Sequence, residues 1–162
     1  MISKKTAIIS AALVMVIAIS GVAVFAQTVE AAKEHTMVSI DGKAVYKEEN
    51  ETITVPASFS ITVGKEKVFK KGYLLNATGG TLTIGGDQYQ IVNGSLVIGK
   101  ELEHMAAKLV VEGPDGFEFT FKFLGGIVYH ANGHGYYVIK GILSNADNST
   151  KIGSSFLMQA SR

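Results

Sequence analysis

The sequence predicts an all-β fold: a single antiparallel meander that closes as a β-barrel or a β-sandwich, preceded by an N-terminal hydrophobic signal or anchor helix. Three observations predict it. From Thr36 onward apolar and polar residues alternate with a period of two, the signature of half-buried strands. Turn dipeptides interrupt the alternation at intervals of about 8–12 residues. The chain also lacks the strand–helix–strand rhythm that a parallel α/β sheet requires.

At the N-terminus, Met1–Lys5 is a short basic segment carrying Lys4 and Lys5, and Thr6–Ala26 follows without a charged residue. Its end, Val24-Phe25-Ala26, offers the residue types a signal peptidase accepts. Cleavage after Ala26 is expected, with Val29-Glu30-Ala31 as a second site. Retention as a membrane anchor is the alternative, because the stretch matches the about 20 apolar residues that cross a bilayer. In both cases Lys4 and Lys5 stay cytoplasmic and the β domain is outside, secreted or at the cell surface. The expected organisation is a signal or anchor at 1–26, a polar linker at 27–35 and a β domain at 36–162.

Next, Thr36–Ile40, Asp41-Gly42 and Lys43–Lys47 read as a first hairpin, and Glu48–Glu51 as an acidic loop. Pro56 interrupts the next strand and marks an edge or a bend. The basic run Lys65–Lys71 reads as a solvated strand edge. Thr81–Ile98, punctuated by Gly85-Gly86 and Asn93-Gly94, reads as a three-strand meander. In Lys100–Leu109, Leu102, Met105, Ala106 and Leu109 have helical spacing, and a short helix is expected. The total is about eleven short strands.

The stretch Phe117–Leu143 is the centre of the predicted core. Alternation puts Phe117, Phe119, Phe121 and Phe123 on one face and Glu118, Thr120 and Lys122 on the other. Each buried ring contributes about 1.5–3 kcal/mol before conformational entropy is counted. Gly125-Gly126 is expected to break or bend the strand. Asn132-Gly133 is a strong hairpin signal, and Gly141 suggests a bulge or a close backbone approach.

Composition excludes several functions. The chain of 162 residues has no cysteine, so disulfides, thiol catalysis and Cys-ligated metal sites are ruled out. Without residues 1–26 the chain holds 13 basic and 14 acidic residues, and a near-neutral domain with no basic run long enough to form a stripe is not expected to bind nucleic acid. No G-x-S-x-G, S-x-x-K or H-E-x-x-H motif is present, so no enzyme is expected. Four N-x-[ST] sequons, at Asn50, Asn76, Asn93 and Asn148, exceed the about one that chance predicts and mark candidate glycosylation sites.

The hairpin tip Tyr129–Tyr137 is the candidate site. His130 and His134 flank the turn; closed symmetrically they form a cross-strand pair able to share copper, nickel or zinc, with His104, His35 or Asp87 as a third ligand. Otherwise no cofactor is expected. Tyr136 and Tyr137 point to opposite faces, and Tyr129 joins one of them on a ligand- or glycan-binding surface. The leading expectation is a non-catalytic exported module of the cell envelope, binding or structural, in which the Phe117–Phe123 face lines a small-ligand pocket. Self-assembly by strand addition and a His-ligated metal protein are the alternatives. Membrane contact is expected only through residues 6–26, if uncleaved.

Overall fold

The computed structural model describes residues 34–99, 103–131 and 134–161. The predicted signal or anchor helix, the linker up to residue 33 and the Asn132-Gly133 pair lie outside the described residues. Eight strands follow one another: β1 (Glu34–Glu48), β2 (Glu51–Phe69), β3 (Gly72–Ile84), β4 (Asp87–Gly99), β5 (His104–Glu112), β6 (Glu118–Ala131), β7 (His134–Asn145) and β8 (Lys151–Ser161). Each pairs with its neighbours in sequence, and β1 closes antiparallel on β8, from Met37 opposite Ala160 to Val45 opposite Gly153. The all-β meander is therefore a closed barrel, not a sandwich.

The strands are fewer and longer than expected, because several glycine signals lie inside strands. Asp41-Gly42 does not turn: β1 runs through it, with a register shift between Ser39 and Asp41. Asn93-Gly94 lies in β4, after a shift between Ile91 and Asn93. Gly125-Gly126 is ordinary strand in β6, paired with Ile139 and Val138. Bulges of this kind bend and twist a strand, and closing a sheet into a barrel needs both. Gly85-Gly86 is a true turn. Both residues have positive φ, +59° and +105°, and they join the pair Ile84–Asp87 as a two-residue hairpin requires.

Two further expectations are corrected. The helix expected at Lys100–Leu109 is, from His104, strand β5. Met105, Leu109 and Val111 are all buried there, so the period-two pattern continues to Val111 and tertiary pairing overrides the helical spacing. Pro56 marks no edge. It sits one residue before the β2–β3 ladder begins at Ala57, where its missing N–H is not needed, and its carbonyl accepts from Gly85 N–H at 3.0 Å. The basic run up to Lys71 is the end of β2, where Lys67, Val68 and Phe69 pair with Leu74, Tyr73 and Gly72 of β3, and Lys70 and Lys71 form the turn after it.

The barrel interior is solid. Phe59 of β2 lies 5.3 Å from the Phe121 ring, 5.6 Å from Phe123 and 5.7 Å from Phe156 (centroid distances). Leu, Ile, Val and Met side chains from all eight strands complete the core, together with Ala44, Ala57 and Ala77. Glycines make room for the rings. A Cβ on Gly42 would stand 2.3 Å from Phe156 Cδ1, and one on Gly141 would stand 2.4 Å from Phe121 Cε2. Gly141 is thus a close approach, one of the two expected options. The expected Phe face loses one member: Phe117 is 70 % exposed in the β5–β6 turn, and only Phe119, Phe121 and Phe123 face inward. Their rings pack against Phe59, Tyr89 and one another. This apolar interior is the reverse of a transmembrane barrel, whose lumen is polar and whose outer wall is apolar; here Lys108, Lys122 and Lys140 stand on the outer wall.

Replacing Phe59 with Ala is expected to lower stability by about 3–5 kcal/mol, since three ring contacts would leave a cavity. Gly42→Ala, an addition of one methyl, is expected to cost about 1–3 kcal/mol through overpacking. Urea unfolding followed by circular dichroism measures both.

Candidate binding cleft

In a meander barrel every second turn returns to the same end. The turns β1–β2, β3–β4, β5–β6 and β7–β8 therefore gather at one mouth, and a cleft of about 790 Å³ opens there. Its floor is the top of the core: Val55, Ile84, Tyr89 and Ile152. Tyr46, Lys47, Thr52, Asp87 and the loop Asn148–Lys151 form its walls. An apolar floor with a few converging polar groups is the usual anatomy of a small-molecule site.

Tyr89 is held in place by packing. It is 7 % exposed, and its ring meets Phe119 edge-on at 5.4 Å. Burial, then the negative charges of Asp87 and Asp115, push its phenol above the ordinary tyrosine range. The hydroxyl therefore stays neutral and can both donate and accept a hydrogen bond. The Asn148–Lys151 wall is rigid for a different reason. Asn145 Nδ2 donates to Ser149 Oγ at 2.8 Å, and its Oδ1 accepts from Thr150 N–H at 2.9 Å. Asp147 Oδ1 accepts from Ser149 N–H at 2.9 Å, and Asn148 takes a left-handed conformation at φ 58°, which Asn tolerates. That backbone N–H, with the Ser149 hydroxyl, holds the Asp147 carboxyl below its ordinary range.

The residues singled out at the other end are dispersed by the register. Ala131 pairs with His134, and His130 with Gly135, so the two histidines lie on opposite faces of the sheet and are not the expected cross-strand pair. The physical reason is parity: closing after Ala131 instead of after His130 moves one imidazole to the other side. His104 pairs with Gly126, whose β7 partner is Val138, four residues from His134, or about 13 Å along the strand. His35 lies in β1 and Asp87 at the opposite mouth. Among the described residues no group of three His, Cys, Asp or Glu converges on a common point.

The tyrosines divide as their alternation requires. Tyr129 and Tyr136 stack on the outer wall, with centroids 4.3 Å apart and planes 12° from parallel. Tyr137 is buried, 4 % exposed, in the core. The four sequon asparagines are all exposed. Asn50 and Asn148 lie in turns, and Asn76 and Asn93 lie on β3 and β4. The mouth itself escaped the sequence because its residues come from four separate segments. The available signal was the parity of the turns combined with Tyr89 and the polar cluster Asn145–Thr150. Comparison with protein-family models, with curated proteins and with solved structures found no match.

Two pH-dependent outcomes follow. Tyr89 is expected to ionise later than the exposed tyrosines on titration at alkaline pH, followed by ultraviolet difference absorbance, and Asp87→Asn is expected to bring it back toward them. Because its folded pKa is raised, the neutral phenol destabilises nothing below pH about 10, and stability falls as pH rises from there through the folded value. For Asp147 the sign is opposite. Its contribution to the loop is present above the ordinary carboxylate pKa and is lost as pH falls through the depressed one. The Ser149 amide shift, read by NMR, is expected to move only below the range in which exposed carboxylates titrate.

Proposed function

We propose that this protein is an exported, non-catalytic binding module of the cell envelope whose ligand sits in the mouth lined by Tyr89, Asp87 and the Asn148–Lys151 loop. The observation that carries this reading is the contrast between the two compartments of the barrel. The interior is filled by Phe59, Phe121, Phe123 and Phe156, whereas the mouth holds an open volume of about 790 Å³ with a preorganised polar wall. Its size and chemistry suit a small polar ligand with one apolar face. A sugar ring is the plainest example: its face would lie on Tyr46, and its hydroxyls would meet Asp87, Asn148 and Thr150. Export rests on the uncharged Thr6–Ala26 segment and its basic flank.

Self-assembly by strand addition is less well supported, because it needs an unpaired strand edge and each of the eight strands lies between two neighbours. Calorimetric titration of the full chain in detergent against a panel of mono- and oligosaccharides tests the binding reading. A saturable response is expected. Asp87→Ala is expected to weaken it about tenfold, the effect of losing a hydrogen bond to a charged group. A panel without response, or a response that Asp87→Ala and Tyr89→Phe both leave unchanged, would count against the mouth as the site.

A further inference from the structure

The outer wall is strongly polarised, and the sequence hides it because the lysines come from five strands. On the β2–β3–β4 side two outward cross-strand sets are neutral, Ser58, Thr83 and Gln88 in one and Ser60, Thr81 and Gln90 in the other, and a third, Lys67, Leu74 and Val97, carries a single lysine. On the β5–β8 side, continuing onto β1, the register collects Lys108, Lys122, Lys140, Lys151 and Lys43, all exposed. Lys108 stands directly opposite Lys122. Lys140 stands opposite Ser155, whose other neighbour is Lys43. The remaining cross-strand neighbours of these lysines on β4–β8 are Ser95, Ile142, Leu124 and Ser144, so none of the pairings offers a carboxylate. Glu112 and Glu118 face each other only at the mouth end of this wall, and Asp41 borders it on the other side.

Exposed aliphatic residues are interleaved with these charges: Leu124 is 71 % exposed, Ile142 54 %, Val45 41 % and Val97 39 %. A groove of about 800 Å³ runs over the same wall, between Lys108, Lys122 and Lys140. Two like charges placed directly across a strand pair repel, and large exposed aliphatics cost solvation. The combination becomes favourable only against a partner that is both anionic and apolar just beneath its charged layer.

We propose that this wall, centred on Lys108, Lys122, Lys140 and Leu124, docks the barrel onto a bilayer surface rich in acidic phospholipids. Lysine stems cover apolar surface while the ammonium groups reach the phosphates, and Leu124 and Ile142 settle among the headgroups. Nucleic acid fits less well. The one aromatic residue along the lysine groove, Phe123, is buried at 3 % exposure and offers no stacking platform, its described lining holds no arginine, and aliphatic residues contribute little to a phosphate backbone. The four residues at its centre lie outside the ligand cleft, which shares Val45 and Lys151 with the rim of this wall.

The chain has no cysteine, so a single label can be placed by Leu124→Cys, with Thr81→Cys on the neutral wall as the control. Full-length protein carrying an environment-sensitive fluorophore at either position is mixed with vesicles of phosphatidylcholine or of an equimolar phosphatidylglycerol–phosphatidylcholine mixture. A blue shift at position 124, confined to the acidic vesicles and absent at position 81, is expected. Because the readout is specific to one wall and to lipid charge, insertion of residues 6–26 into both vesicle types does not produce it. The shift is expected to vanish in about 0.5 M NaCl, where screening shortens to a few ångströms. The triple variant K108Q/K122Q/K140Q is expected to bind about a hundredfold more weakly, at about fivefold per lysine; the salt arm tests the same charges without a mutation. An aqueous spectrum at position 124 on acidic vesicles, an equal shift at position 81, an equal shift on phosphatidylcholine, or a response to oligodeoxythymidine in place of vesicles would each overturn the proposal.

Discussion

The packing of Phe59 against Phe121, Phe123 and Phe156 is the constraint on which the rest of the structure depends. An eight-stranded barrel encloses a space just wide enough for side chains to fill, so its interior must be either a core or a small cavity. Here four rings from β2, β6 and β8 meet across that space and decide for the core. The rings impose requirements on the opposing wall. Gly42 and Gly141 cannot carry a Cβ, and the bulge in β1 places Ser39 so that its Oγ accepts the Phe59 N–H at 2.8 Å. A filled barrel has a functional consequence. Whatever the protein recognises must meet it at a mouth or on the outer wall, and those surfaces are held rigidly by the plug beneath them.

Much of this fold was legible in the sequence, for local reasons. Alternation identified the inward faces of Phe119–Phe123 and of Leu82, Ile84, Tyr89 and Ile91, because strand side chains obey a strict period of two. The strand count was not legible. A glycine pair has the same composition whether it turns the chain, as at Gly85-Gly86, or sits in an unbroken strand, as at Gly125-Gly126. The difference lies in the partners across the sheet, which no local window contains. The His130–His134 pair failed for a related reason. A hairpin that closes one residue later reverses the face of every residue after it, so one uncertain position decided whether two imidazoles could meet.

Both candidate surfaces belong to this non-local class. The cleft draws on four segments brought together by turn parity, and the lysine wall takes one residue from each of five strands. Net charge was a poor guide for the same reason. A domain with 13 basic and 14 acidic residues looks unpolarised until the register is known. The sequons take on meaning in the same way. Asn93 stands opposite Val110, and Asn76 opposite Ser95, the neighbour of Lys108. A glycan on either would stand within about two strand spacings of the lysines, about 10 Å, and would hold a planar partner away from the wall. Occupied sequons on β3 and β4 and a docked lysine wall are therefore in competition, whereas glycans at Asn50 and Asn148 would crowd the mouth end.

The arrangement of charge on the barrel also bears on why the wall exists. Solubility alone does not call for it, because the half of the β2–β4 side nearer the mouth meets water with Ser, Thr and Gln and even links Ser60 to Thr81 through their hydroxyls at 3.2 Å. Placing Lys108 against Lys122 instead introduces a repulsion that a single Glu at either position would turn into an attraction. Glutamates lie further along the same wall, yet Glu112 and Glu118 face each other, separated from the Lys108–Lys122 pair by Val110 and Thr120. Exchanging one member of each pair would relieve both repulsions without touching the core, since all four residues are exposed. A fold that sorts its charges into like-signed pairs forgoes an easy gain in stability and keeps a uniform positive field over Leu124 and Ile142, which is the property an anionic surface would recognise.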